Sequence, residues 1–173
     1  MLIRLRKANK KDIAFLFRLR NQPSTFRYAK NPRPVERQEH INWATAVLEG
    51  KTNKNLFIIE VNKKRAGQIR MDIDKKEATV SISLMPEFQG RGIGFLALQM
   101  AIKKMRKEKN VQIFTAHIHQ DNIPSQKLFT KLGFQLKKQK GVWKQYGLRM
   151  LKQGLTQKKR KIPNTLLKKH KSR

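Results

Sequence analysis

Residues 84–95 read L-M-P-E-F-Q-G-R-G-I-G-F, so Gly90, Gly92 and Gly94 alternate with Arg91 and Ile93. Residues 78–84, A-T-V-S-I-S-L, alternate as a half-buried strand does, and a long run of helix formers follows Gly94. Whatever the chain folds into, a strand must meet a helix here through nearly bare backbone. Glycine lets the main chain turn left-handed or approach a ligand closely. The first N–H groups of a helix lack intrahelical acceptors and sit at the positive end of its dipole, so the joint suits a phosphate. Arg91 can add a charge-assisted contact. The dinucleotide fingerprint and the P-loop need other glycine spacings, a following acid or a Lys-Ser/Thr pair, and neither pattern is present.

The elements around this joint alternate. Residues 2–6 predict a strand, and Asn9 with Asp12 forms a capping-box pattern ahead of a helix bearing Ile13, Leu16, Phe17 and Leu19. Residues 22–34, with Pro23, Pro32 and Pro34, read as a loop, and a second helix is expected over 35–49, closed by Gly50. Strands over 56–61, 66–73 and 78–84 follow with short polar connections, then a helix to about Lys109 and a fifth strand over 111–118. A short helix from Pro124 to Leu132 and strands over 134–139 and 143–150 complete a mixed α/β domain, a twisted mixed sheet flanked by helices.

With 173 residues and 38% hydrophobic content, one core and one domain over 1–150 suffice. No cysteine is present, which excludes disulfides, thiolate metal sites and cysteine nucleophiles, and no metal site is expected. The amino terminus is charged from Arg4, and no apolar run approaches the ~18 residues of a membrane span, so the reading is cytoplasmic. The formal charge of +30 attracts polyanions. Nine of the 41 basic residues fall in 151–173, which contains no acid; this segment reads as a mobile basic tail, either simply solvated or contacting RNA.

Gln89, Gly92 and Gly94 after a strand resemble the acetyl-CoA-binding motif of the GNAT superfamily of N-acetyltransferases. N-I-P-S-Q-K-L-F-T-K-L-G-F, residues 122–134, is similar to that family's N-x-x-[AS]-x-x-x-[YF]-x-k-x-G-F segment, at a matching distance. The resemblance covers about residues 2–150. It implies a sheet splayed between the fourth and fifth strands and acetyl-CoA as co-substrate. In that family, Ile82, Ser83 and Leu84 would offer backbone hydrogen bonds to the pantetheine arm. The run Gly90, Arg91, Gly92, Ile93, Gly94 and Phe95, after Gln89, would cradle the pyrophosphate, and Asn122 would contact the cofactor further along.

The implied chemistry is direct attack of a neutral amine on a thioester in a ternary complex, which needs a base for the ammonium proton. Similar enzymes that acetylate a ribosomal-protein amino terminus have a glutamate base and a tyrosine acid where this chain has His117 and Phe129. Histidine can act as the base, whereas phenylalanine cannot protonate a leaving thiolate and reads as a core aromatic. Tyr28 and Tyr146 are the tyrosines available as acids. In the first two helices, R-L-R-N and E-H-I-N-W resemble the subgroup that acetylates nucleotide-linked amino sugars. On that resemblance Arg20 and Arg27 would meet a diphosphate, and His40 and Trp43, three apart on one helix face, would hold a sugar or base. A ribosomal or other protein amine is the alternative acceptor, and a basic nucleic-acid-binding module that has lost catalysis is the reading from another class.

Overall fold

The computed structural model describes residues 1–150, so the expected mobile tail over 151–173 lies outside the described residues. The order is β1 (Ile3–Lys7), α1 (Ile13–Arg20), α2 (Pro23–Phe26), α3 (Arg37–Leu48), β2 (Lys54–Val61), β3 (Lys64–Asp74), β4 (Glu77–Leu84), α4 (Ile93–Lys109), β5 (Ile113–His119), α5 (Ile123–Lys131), β6 (Gln135–Lys140) and β7 (Trp143–Arg149). The Asn9–Asp12 cap forms as expected: the Asn9 side chain accepts from the Lys11 N–H and the Asn9 N–H donates to the Asp12 carboxylate, both at 2.9 Å. It opens a 3-10 turn that leads straight into α1. One element was not expected. Within the proline-rich stretch read as loop, Pro23 starts the single turn α2, because proline's fixed φ suits a helix's first position.

Seven strands form one sheet in the order β1-β2-β3-β4-β5-β7-β6, antiparallel throughout except between β4 and β5. That parallel pair is short. Residues 77–79 register with 113–115, the Thr79 and Thr115 hydroxyls lie 3.2 Å apart, and beyond them the two strands pair no further. The sheet is therefore splayed between β4 and β5.

Strand alternation separates two faces. Phe57 and Ile59, Ile69 and Met71, Ala78 and Val80, Phe114 and Ala116, and Tyr146 share the face covered by α4, where Leu98, Ala101 and Met105 complete the main core. Leu56 and Ile58 point the other way and meet Phe15, Leu16, Leu19 and Val47 of α1 and α3. That second cover reaches β2, β3 and β4. Further along, the same face presents polar side chains, Thr115, His117 and His119 on β5 and Trp143 and Gln145 on β7.

Candidate active site

The register of β3 and β4 fixes what faces the gap. The Met85 N–H donates to the Ala66 carbonyl at 2.9 Å, and hydrogen-bonded pairs alternate along an antiparallel ladder. Ser83 is thus directed at Gln68 of β3, whereas Ile82 and Leu84 turn their N–H and C=O groups toward the open side. The Leu84 carbonyl is engaged there by the Gln89 amide at 2.9 Å. The free groups at the gap are those of Ile82 and the Leu84 N–H.

Past a 3-10 turn over Pro86–Phe88, Gly90 and Gly92 adopt φ values of +71° and +74°, a left-handed conformation that would strain other residues. An added Cβ at either position would meet no atom within 4 Å. Gly92 is the N-cap of α4 and supplies no side-chain acceptor, so the first N–H groups of α4 carry no side-chain cap. Gly94 serves packing: a Cβ there would come within 3.3 Å of Leu128 and 3.6 Å of Ile82 and Leu84, so its absence lets α4 settle against β4 and α5. Ile93 is buried in the main core, Phe95 lies under the Lys131 ammonium at 5.1 Å, and Arg91 reaches the Glu87 carbonyl at 3.5 Å. The Asn122 side chain accepts from the Ser125 N–H at 3.2 Å and caps α5. A gap lined by free backbone groups, ending at an uncapped helix N-terminus with open space before it, fits a pantetheine arm and pyrophosphate.

Across the gap stands α2. Ser24 receives a hydrogen bond from the Gln89 amide at 3.3 Å, and Tyr28, just beyond α2, lies with its ring 5.9 Å from that of His119. His117 is exposed on the same face, opposite Gln145. Partial burial and then the charges of Lys30 and Lys138 lower its pKa, which favours the neutral imidazole. Phe129 is 2% exposed and packs edge-on against Phe134 with centroids 4.9 Å apart, a core position. Tyr146 also belongs to the core, its hydroxyl donating to Gln126 at 3.1 Å, so Tyr28 is the tyrosine on the His117 side of the sheet.

The structure brings Arg20, His40 and Trp43 together and leaves Arg27 apart. His40 is 4% exposed between the rings of Phe17 and Trp43, at 5.6 and 5.3 Å, and burial followed by the Arg20 charge lowers its pKa. Its Nε2 and the Nη1 of Arg20 are buried donors or acceptors without a partner. Trp43 packs onto the small core of α1, α3 and β2. Arg27 lies over the Tyr28 ring at 5.7 Å. Sequence reasoning passed over Lys30, Lys138 and Trp143, which no local motif marks and which the fold gathers around the two β5 histidines. A hollow of about 350 Å³ between α1, the β2–β3 hairpin and the turn after β4 is lined by Phe15, Arg18, Lys63, Lys64, Arg65, Met85 and Glu87, none of them a site residue expected from the sequence.

Residues 3–135 match the acetyltransferase (GNAT) domain family. No curated protein matches the chain. Among solved structures, spermidine N-acetyltransferase from Vibrio cholerae with CoA and spermine superposes with a TM-score of 0.75 at 18% identity, covering 86% of this chain and 95% of that one. Campylobacter jejuni N-acetyltransferase PseH with acetyl coenzyme A gives 0.69 at 18% identity, covering 87% and 100%. The ribosomal L7/L12 alpha-N-protein acetyltransferase RimL with coenzyme A gives 0.73 at 17% identity, covering 86% and 94%. The mixed sheet with its parallel β4–β5 pair is thus that of a known enzyme class, and the chain belongs to the GNAT family of acetyltransferases, which use acetyl-CoA as the acyl donor.

Proposed function

We propose that the protein transfers the acetyl group of acetyl-CoA to the primary amine of a nucleotide-linked amino sugar. The observation behind this reading is the charge of the acceptor side. Arg20, Arg27 and Lys30 make no ion pair among the described residues, and the buried Arg20 Nη1 lacks a partner. An anionic acceptor matches these groups, whereas a polyamine, the ligand in the Vibrio cholerae neighbour, would enter a chain of net charge +30 against its field.

Bound acetyl-CoA supplies an activated acyl group. The chain's own part is to hold it and to prepare the amine. Ile82 and Leu84 present backbone groups along the gap, Gly90 to Phe95 and Arg91 hold the pyrophosphate, and Asn122 flanks the pantetheine path. The Leu84 N–H, directed into the gap, can stabilise the oxyanion. His117, favoured neutral on the exposed face of β5, takes the ammonium proton. Arg20 meets the diphosphate, while His40 and Trp43 shape the wall behind the sugar. The basic segment 151–173, with nine basic residues and no acid, supplies charge for a polyanion contact.

The test is an acceptor screen read by free-thiol release, with nucleotide-linked amino sugars, free amino sugars, peptides and polyamines in parallel. Turnover on the nucleotide-linked sugars well above the free sugars is the expected result. Activity confined to peptide amines would move the assignment to a protein acceptor.

A further inference from the structure

The polar face of β5, β7 and β6 is met at Tyr28 by the segment after α2 and, His117 apart, has a composition that the acetyl-transfer chemistry does not require. Register places two rows across it: His117, Gln145 and Lys138, then His119, Trp143 and Lys140. All six residues of the edge strand β6 are exposed. Lys137 lies flat on the same face, because Gly147 leaves room for its stem; a Cβ there would sit 3.1 Å from Lys137 Cγ. Among residues 109–150 Asp121 is the sole acid. Lys30, Lys138 and Lys140 form no ion pair among the described residues, and Lys137 bonds to the neutral Gln135.

Between these cations stand flat rings. His119 meets Tyr28 at 5.9 Å and the half-buried Trp143 edge-on at 5.5 Å. Unpaired cations alone would suit any polyanion. Cations interleaved with rings on an uncovered sheet suit a polyanion whose own units are flat, since bases stack on aromatic faces while phosphates meet lysines. An acidic peptide would leave the rings without a role.

We propose that this face, with Trp143 as the stacking surface and Lys30, Lys138 and Lys140 as phosphate contacts, binds single-stranded nucleic acid. The face adjoins the proposed acceptor site through His117 and Tyr28, but binding there does not need turnover.

Binding is measured on the full chain by fluorescence anisotropy with labelled oligouridylate and oligothymidylate of about twelve nucleotides, over a salt series. Lys138→Ala/Lys140→Ala is expected to weaken binding about tenfold and to reduce the slope of log affinity on log salt by about 0.7 per lysine. Trp43→Phe leaves Trp143 as the single tryptophan, and its fluorescence is expected to quench on binding. The control Lys103→Ala/Lys107→Ala removes equal charge from α4, on the opposite side of the sheet, and should leave affinity within about twofold. Equal weakening by both double variants, or none by either, would overturn the proposal by showing that general charge or the segment 151–173 does the binding. Oligoglutamate binding as tightly, without the quench, would reassign the face to an acidic protein. Uridine diphosphate quenching Trp143 and displacing the oligonucleotide at comparable concentration would reassign it to a mononucleotide acceptor.

Discussion

Gly92→Asp separates the backbone cradle from every other account of the glycine joint. The substitution has two separable costs. At φ +74° a side chain is strained, by about 1–2 kcal/mol. Its Cβ meets no protein atom within 4 Å, so no clash is added and the fold should survive. For a chain of this size, 1–2 kcal/mol lowers the melting temperature by about 2–8 °C. The second cost appears only with ligand. Acetyl-CoA at about a hundredfold excess over Kd stabilises a native protein by about 2.7 kcal/mol, roughly 5–10 °C here. A carboxylate about 4 Å from a phosphate charge, at an effective dielectric constant near 20, costs about 4 kcal/mol, which is enough to cancel that gain. Thermal unfolding followed with and without acetyl-CoA should therefore show a small drop in the apo variant and no ligand-induced shift. Gly92→Ala should show the drop and keep the shift. A full shift in Gly92→Asp would refute the placement of the pyrophosphate at α4.

His117→Ala should lower turnover about 10²-fold while leaving the acetyl-CoA melting shift intact, as measured by thiol release and thermal unfolding. Because partial burial, Lys30 and Lys138 lower the His117 pKa, the neutral base persists below pH 6.5 and the acid limb of kcat/KM should lie under the ordinary histidine range; Lys138→Gln should move that limb to higher pH. Arg6 pairs with buried Asp12 at 2.7 Å and with Glu60 at 2.6 Å, so Arg6→Ala should cost about 3 kcal/mol in chemical denaturation, Arg65 at 3.6 Å remaining near Asp12. Burial acts to raise the Asp12 pKa, but hydrogen bonds from Arg6 and the Asn9 N–H, with the Arg6 and Arg65 charges, outweigh it and the net shift is downward; the stabilisation is present above the unfolded carboxylate range, is lost as pH falls through the folded value, and in Arg6→Ala the acid transition should move upward. Deleting residues 156–173 should leave the melting temperature and turnover on small acceptors unchanged while weakening RNA affinity and its salt dependence, and loss of folding would show that the segment packs on the domain.

The glycine joint proposed to hold the cofactor was legible because its requirements are local. A left-handed backbone at Gly90 and Gly92, an uncapped helix start at Ile93 and a close contact at Gly94 each demand a residue type within a few positions of the next, so they leave a pattern in the chain. Strand periods and the Asn9–Asp12 cap were legible for the same reason. The turn α2 was not, since three prolines argued for loop and only the packing of Ser24 near Gln89 and Tyr28 near His119 gives that turn a place. Ser83 was grouped with its neighbours, but which of three consecutive residues faces the gap depends on the β3–β4 register, a long-range property.

The proposed acceptor half is written across the sheet rather than along the chain, and the two tryptophans show the consequence. Trp43 stands three residues after His40 in an amphipathic helix, and that spacing marks a shared face without saying what the face meets. The fold turns it onto α1 and β2, so the ring behind the proposed sugar subsite is held by packing and has little freedom to adapt to a ligand. Trp143 follows a tight β6–β7 turn with no motif around it, yet register sets it beside His119 and opposite Lys140. A residue whose neighbours come from strand pairing can change its ligand without disturbing any local pattern. For a reaction driven largely by positioning, with backbone groups stabilising charge, such a surface is where acceptor choice can vary while the glycine joint stays unchanged.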